Sequence, residues 1–232
     1  YTGGFGALAA QSFFPAHHIT MGQGGAVVTQ RPRLAALVRS FRDWGRSCWC
    51  DAGKENTCGR RYGWQLGDLP PGYDHKYIYT HVGYNMSITD LQAAIGCAQL
   101  ERLPGFIGAR KENWQYLNTN LSGLGEFFDF PRALEFCEPG WFGYALRVRQ
   151  DAPFTRLELL KYLTQNLIDT RLLFAGNLTK QPAYKGLNFR TVGQLKNTDD
   201  AMLNAFWLGV YPGLGKAALD YVVEKLHDFV RV

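Results

Sequence analysis

No stretch of this 232-residue chain approaches the run of ~20 apolar residues that a bilayer-spanning helix needs. The first residues carry no apolar stretch of the secretory kind, so a cytoplasmic location is expected. Internal repeats and low-complexity tracts are absent. Charged residues are sparse at 19%, which excludes a disordered polyelectrolyte. Neither sign of charge dominates: Lys and Arg number 25, Asp and Glu 20, for a net charge of +5. That excess suits anionic ligands such as phosphates, but it is too mild and too scattered to argue for nucleic acid. A dinucleotide fingerprint is also missing, because Gly22-Gln23-Gly24-Gly25 lacks the required glycine spacing. Cysteine is scarce and odd in number, at five, and three of the five crowd into Cys48, Cys50 and Cys58. A secreted disulfide scaffold is shorter and more evenly paired. The trio reads instead as metal ligation in a reducing compartment, while Cys97 and Cys137 read as small packing or surface residues.

What is present reads as an α/β chain. Hydrophobic content is an ordinary 46%. A buried strand-like segment follows Tyr1 to Gly6, and Ala26 to Thr29 reads as a second strand. Pro32 opens a helix with Leu34, Leu37, Val38 and Phe41 on one face. Residues 43–71 have no period and are rich in Gly, Arg, Trp and Cys, as expected of an ordered, functional loop. Ser87 and Asp90 form a capping-box pattern for a helix with Leu91, Ala94, Ile95 and Ala98 as its stripe. Pro104-Gly105 is expected to break it, with a further helix over 106–121 turning Trp114, Leu117 and Leu121 inward. The domain boundary is placed there, giving units 1–105 and 106–232. In the second unit, 141–148 and 171–174 read as strands. Thr155 and Glu158 cap a helix carrying Leu159, Leu160, Leu163 and Leu167. A terminal helix carries Leu219, Val222, Val223, Leu226 and Phe229.

The segment Ser12-Phe13-Phe14-Pro15-Ala16-His17-His18-Ile19-Thr20, closed by Gly22-Gln23-Gly24-Gly25, resembles the active-site stretch of pyridoxal-phosphate sugar aminotransferases. The lysine of that pattern falls five residues after the serine, where this chain has His17. A lysine amine forms a Schiff base with the cofactor; an imidazole does not, yet it moves protons near neutral pH. Joined to the C-x-C-x7-C spacing of the cysteines, the motif resembles the iron–sulfur, pyridoxamine-phosphate-dependent CDP-4-dehydro-6-deoxyglucose 3-dehydrases of the DegT/DnrJ/EryC1/StrS group. The resemblance extends through Gly83-Tyr84-Asn85-Met86, the segment from Arg171 to Leu178 and the segment from Phe206 to Leu214. Phe14 departs from it, since related dehydrases often carry tyrosine there.

This resemblance implies a PLP-dependent transferase fold of type I. The chain then holds the C-terminal part of the large cofactor domain and the small C-terminal α/β domain. The upstream part is expected to supply the aspartate that pairs with the pyridinium nitrogen and a fourth cluster cysteine. Ser12 is implied to donate to the cofactor phosphate, although a serine ending a strand is the plainer reading of that residue alone. His17 is implied to be the catalytic base that takes a proton from the 4′ carbon of pyridoxamine phosphate, so that the hydroxyl at sugar carbon 3 leaves. The alternative is a packed histidine, with His18 as a second candidate. Asn85 is implied to reach the cofactor phosphate of a partner protomer, making the enzyme a homodimer; a turn asparagine is the alternative. Phe142 and Arg171 are implied to line the CDP-sugar site.

Three cysteines are one short of the usual four thiolates of an iron–sulfur cluster, though histidine can substitute. Arg42, Arg46, Lys54, Arg60 and Arg61 surround them in sequence and favour thiolates. A [2Fe–2S] cluster, zinc and unligated thiols all remain open, with C-x-C a poor match to zinc spacing. A cluster implies electrons from a separate flavin or iron–sulfur reductase, since this chain has no nucleotide-cofactor fingerprint. The competing functions are a cluster-free GDP-4-keto-6-deoxymannose 3-dehydratase, an aminotransferase-like enzyme, and a non-catalytic fragment.

Overall fold

The computed structural model describes residues 2–50 and 53–231. The chain forms two compact units, Tyr1–Glu101 and Arg102–Val232. The change of unit falls four residues before the 105/106 division expected from Pro104-Gly105.

In the first unit, β1 (Ala9–Ser12) pairs antiparallel with β2 (Gly25–Val28), with Ser12 opposite Gly25. The expectation that β1 is buried is corrected, because three of its four residues are exposed. Its two-stranded ribbon has no second layer among the described residues to cover it. Pro32 sits at the first position of α1 (Pro32–Arg42), where a missing N–H costs nothing. Leu37 and Phe41 on its expected inner face are only partly covered.

Helix α2 (Asp90–Leu121) departs most from expectation. Its start is set by Thr89 and Gln92: the Thr89 N–H donates to Gln92 Oε1 at 2.9 Å and the Gln92 N–H to Thr89 Oγ1 at 3.3 Å. The cap is therefore Thr89, and not Ser87, whose hydroxyl donates instead to Asp43. The stripe of Leu91, Ala94, Ile95 and Ala98 is exposed. The covered side carries Gln92, Ala93, Gly96 and Gln99, and two of these anchor the motif loop through hydrogen bonds to Gln23 and Thr20. Pro104 does not break the helix. An interior proline costs about 3 kcal/mol, but more than three turns lie on each side of it, and Trp114, Leu117 and Leu121 pack the downstream part into the core.

The second unit contains a four-stranded antiparallel sheet in the order β3-β4-β6-β5, where β3 is Phe128–Asp129, β4 Gly143–Val148, β5 Arg171–Leu172 and β6 Ala205–Gly209. Tyr144, Leu146 and Val148 alternate inward along β4, as a half-buried strand requires. Together with Phe206 and Leu208 they form the buried face, covered by α2, by Leu159 and Leu163 of α3 (Arg156–Gln165), and by Leu219 and Leu226 of α5 (Lys216–Val230). Thr155 and Glu158 make the expected reciprocal box at the start of α3. Leu167 is corrected: α3 ends at Gln165, Leu167 turns left-handed at φ +60° and is exposed, and Ile168 takes the buried place. The strand at 171–174 is shorter than expected, because Phe174 turns at φ +43°. Helix α4 (Lys196–Asn204) completes the unit and runs straight into β6.

Leu163 is completely buried against this core. Leu163→Ala is expected to destabilise the second unit by about 2–5 kcal/mol in urea unfolding followed by tryptophan fluorescence. A loss well under 1 kcal/mol contradicts this packing.

Candidate active site

The motif loop between β1 and β2 is tied mainly by its own backbone. The Phe13 N–H donates to Gly24 O at 2.9 Å, the Met21 N–H to Phe13 O at 2.9 Å, and the His17 N–H to Phe14 O at 2.9 Å. Gly96 lets α2 approach, since a Cβ there meets Met21 Cγ at 2.8 Å. These bonds bring Ser12 and His17 together. His17 Nδ1 lies 3.2 Å from the Ser12 carbonyl oxygen, and because a carbonyl only accepts, Nδ1 carries the proton. The basic lone pair of the neutral ring is then on Nε2. Phe14 holds its ring edge-on to His17 at 6.0 Å. The Ser12 hydroxyl oxygen accepts weakly from the Phe14 N–H at 3.4 Å, leaving its own proton for another acceptor.

Asn85 stands on a different segment, exposed, and bridged to Asp43 at the end of α1. The neighbouring bonds are short: the Trp44 N–H donates to Tyr84 O at 2.7 Å and the Tyr84 N–H to Phe41 O at 2.7 Å. Arg42 grips Asp43 with two bonds, at 2.9 and 2.7 Å. Its guanidinium holds the Asp43 carboxyl below the ordinary carboxylate range, and the Ser87 hydroxyl adds to the effect.

The excursion between these segments closes on itself. The Thr80 N–H donates to Gly45 O at 3.1 Å and the Ser47 N–H to Ile78 O at 2.9 Å. Gly45 is left-handed at φ +87°, and a Cβ on it lies 1.8 Å from His81 O, so only glycine allows this approach. Cys48, Cys50 and Cys58, all half-buried, gather below the pairing. The sulfurs of Cys48 and Cys50 and a ring nitrogen of His75 lie within 4.8 Å of one another. Cys58 Sγ is 3.3 Å from His75 Nε2. A cavity of about 60 Å³ opens beside them, lined by Arg46, Cys48, Cys50, Arg61, His75 and Lys76 among others. The Cys50 thiol is pushed down to about 7, first by a hydrogen bond with Thr57 and then by the backbone at Cys58; burial pushes the Cys48 thiol up. The thiols of Cys48, Cys50 and Cys58, collected around the His75 ring, are candidate donors for a soft or borderline metal centre.

Sequence reading missed His75. It lies beyond the end assigned to the loop and 17 residues from Cys58. The one sequence signal was slight: His75 is the histidine nearest the trio along the chain. Trp64 stacks on the His75 ring at 4.7 Å. Asp74 caps the turn His75–Tyr77 by accepting from the Lys76 N–H at 3.0 Å, and Arg61 Nε donates to Asp74 at 2.9 Å.

Phe142 and Arg171 belong to the second unit and meet at Trp207. The Phe142 ring lies 5.2 Å from the Trp207 ring, and Arg171 pairs opposite Trp207 across β5 and β6. The Arg171 guanidinium bonds Asp169 and the Thr170 carbonyl. Buried Arg110 donates to the Phe142 carbonyl at 3.1 Å and fixes that turn.

The α/β scaffold, with its serine, histidine and glycine-closed loop between β1 and β2, has the PLP-dependent transferase fold of type I. The chain is a member of the DegT/DnrJ/EryC1/StrS aminotransferase family, whose model matches residues 1–227. It is 52% identical over 98% of its length to the lipopolysaccharide biosynthesis protein RfbH of Salmonella typhimurium. It is 48% identical over 99% to dTDP-4-dehydro-2,6-dideoxy-D-glucose 3-dehydratase of Saccharopolyspora spinosa. It spans about half of each, 52% and 49%. The fold superposes on the E. coli GDP-4-keto-6-deoxy-D-mannose-3-dehydratase with bound hydrated PLP at a TM-score of 0.81, with 23% identity, covering 97% of this chain and 56% of that one. Among the described residues no helix is long and apolar enough to cross a membrane.

Arg61 holds the Asp74 carboxyl below the ordinary carboxylate range. The contact therefore stabilises the turn above ~pH 3.9 and is lost as the pH falls through the lowered value. Asp74→Asn is expected to lower the protection of the His75 and Ile78 amides against hydrogen exchange at pH 7. Unchanged exchange contradicts this role.

Proposed function

We propose that this chain is the C-terminal portion of a pyridoxamine-phosphate- and [2Fe–2S]-dependent 3-dehydrase, a carbon–oxygen lyase. Its substrate is CDP-4-keto-6-deoxyglucose, and its product feeds the 3,6-dideoxyhexoses of lipopolysaccharide O-antigen. The observation that carries the reading is His17 standing in the family's lysine place, with its ring tethered to the Ser12 carbonyl.

Bound pyridoxamine phosphate supplies an amine for the sugar ketone and an electron sink, and the cluster supplies one-electron transfer. The Ser12 hydroxyl donates to the phosphate. With Nδ1–H fixed on the Ser12 carbonyl, His17 keeps its lone pair on Nε2, which accepts and later returns a proton while the ring stays in place. His17 offers no amine, so the cofactor is held without a covalent link and nitrogen transfer is given up. Asn85 supplies a donor toward the phosphate of a partner protomer, making the working unit a homodimer. Cys48, Cys50 and Cys58 hold the cluster, with a further ligand from outside this chain. Phe142 and Arg171, gathered at Trp207, contact the nucleotide sugar, and the guanidinium suits its diphosphate. The electrons come from a separate flavin or iron–sulfur reductase. The protein works in the cytoplasm, and this chain by itself has low activity.

His17→Asn in the natural protein is expected to lower the dehydration rate by about 10²–10⁴-fold while cofactor affinity is kept. Activity near that of the unaltered enzyme contradicts the assignment. Assays with CDP- and dTDP-linked substrates decide the nucleotide, since one relative is named for a dTDP sugar. Without an electron donor, dehydration is expected to proceed and 3-deoxy product to be absent; product formed in that mixture contradicts the role of the cluster.

A further inference from the structure

We infer that His75 is a positioning residue for the cluster. Its Nε2–H donates to the Cys58 thiolate, stabilising the reduced, more negative state and raising the reduction potential. The inference rests on the reading that the cysteine trio holds a [2Fe–2S] centre.

The separation of Nε2 and Sγ is 3.3 Å, and it is fixed rather than incidental. His75 is only 2% exposed. Its ring is stacked on Trp64 and its backbone N–H donates to Arg61 O at 3.0 Å. The turn beginning at His75 is capped by Asp74, which Arg61 holds in turn. The position of the proton follows from burial. Nδ1 is buried without a hydrogen-bond partner among the described residues. A buried lone pair without a partner is tolerated better than a buried N–H without an acceptor, so a neutral ring carries its proton on Nε2, facing sulfur. A second donor converges on the same atom, the Arg60 N–H at 3.4 Å. Cys58 is thus served by two N–H groups.

Hydrogen bonds to the sulfurs are among the protein's levers on an iron–sulfur potential. A one-electron reduction adds negative charge to the cluster and its thiolates. Donors already aimed at Cys58 stabilise that charge without reorganisation. His75 therefore eases entry of each electron from the reductase, and its removal leaves a cluster that is harder to reduce.

The test is a redox titration of the natural protein after anaerobic reconstitution, followed by electron paramagnetic resonance, with iron and sulfide measured on the same samples. His75→Leu is expected to keep iron and sulfide at the unaltered level and to shift the midpoint potential downward. His75→Gln, whose amide still donates, is expected to recover part of that shift. An unchanged potential in His75→Leu overturns the inference. Pulsed measurements on the unaltered protein give a readout that needs no variant. Weak imidazole nitrogen coupling supports a hydrogen-bonded His75. Strong coupling makes His75 a direct ligand and overturns it. Absence of iron and sulfide from the unaltered protein rejects the cluster reading itself, and the role of His75 falls with it.

Discussion

The feature on which the candidate site depends is the closure of the chain between Trp44 and Tyr84. Two short backbone bonds, Trp44 to Tyr84 and Tyr84 to Phe41, fasten the ends of an excursion about forty residues long to the end of α1. Closing such a loop costs entropy that grows only slowly with length, so a few well-made contacts at its neck suffice. The neck is built for closeness. Gly45 and Gly83 touch, and a Cβ on Gly83 lies 2.3 Å from the Gly45 nitrogen. Trp44 adopts φ +61°, a conformation that a bulky residue rarely takes. A strained turn persists only where its surroundings over-determine it, as this double clamp does.

Two results follow from the closure. On one side it stations Asn85 beside Asp43 at the end of α1. On the other it lays residues 45–47 against 78–80 and draws Cys48, Cys50 and Cys58 to buried His75. An ion network of Arg61, Asp74, Glu55 and Lys76 braces the loop below. Glu55 is exposed and the other three are partly covered, so the network's effect is one of position more than of bulk stability. His17, the proposed proton-transfer residue, is held by a separate and simpler device, the bond from Nδ1 to the Ser12 carbonyl at a strand end. The two proposed roles, proton transfer at His17 and electron transfer at the cysteines, thus fall on different local structures within one unit.

Much of this was legible in the sequence where the signal is local. The Thr155–Glu158 box, the proline that opens α1 and the inward positions of α2 and α5 depend on neighbours a few residues away. The family motif singled out Ser12 and His17, which the structure sets side by side, and the cysteine trio, which it collects around His75, because their spacing is itself the signal. Errors arose where tertiary contacts decide. Ser87 resembles a cap but serves Asp43, which left Thr89 to cap α2. Pro104 reads as a break but lies within a helix that is packed downstream. The apolar stripe of Leu91 and Ile95 reads as buried, yet the covered side of α2 is the one whose glutamines hold the motif loop. His75 was invisible as a site residue because its partnership with Cys58 spans 17 positions and depends on the loop returning.

The most direct measurement is the iron and acid-labile sulfide content of a Gly45→Val variant beside that of the unaltered protein, with the unfolding midpoint of the second unit followed in both. With the proposed [2Fe–2S] centre in place, the unaltered protein is expected to carry about two irons and two sulfides per chain. The variant then loses them while the second unit unfolds at the same point. A variant with its full complement of iron and sulfide contradicts the claim that this neck gathers the ligands.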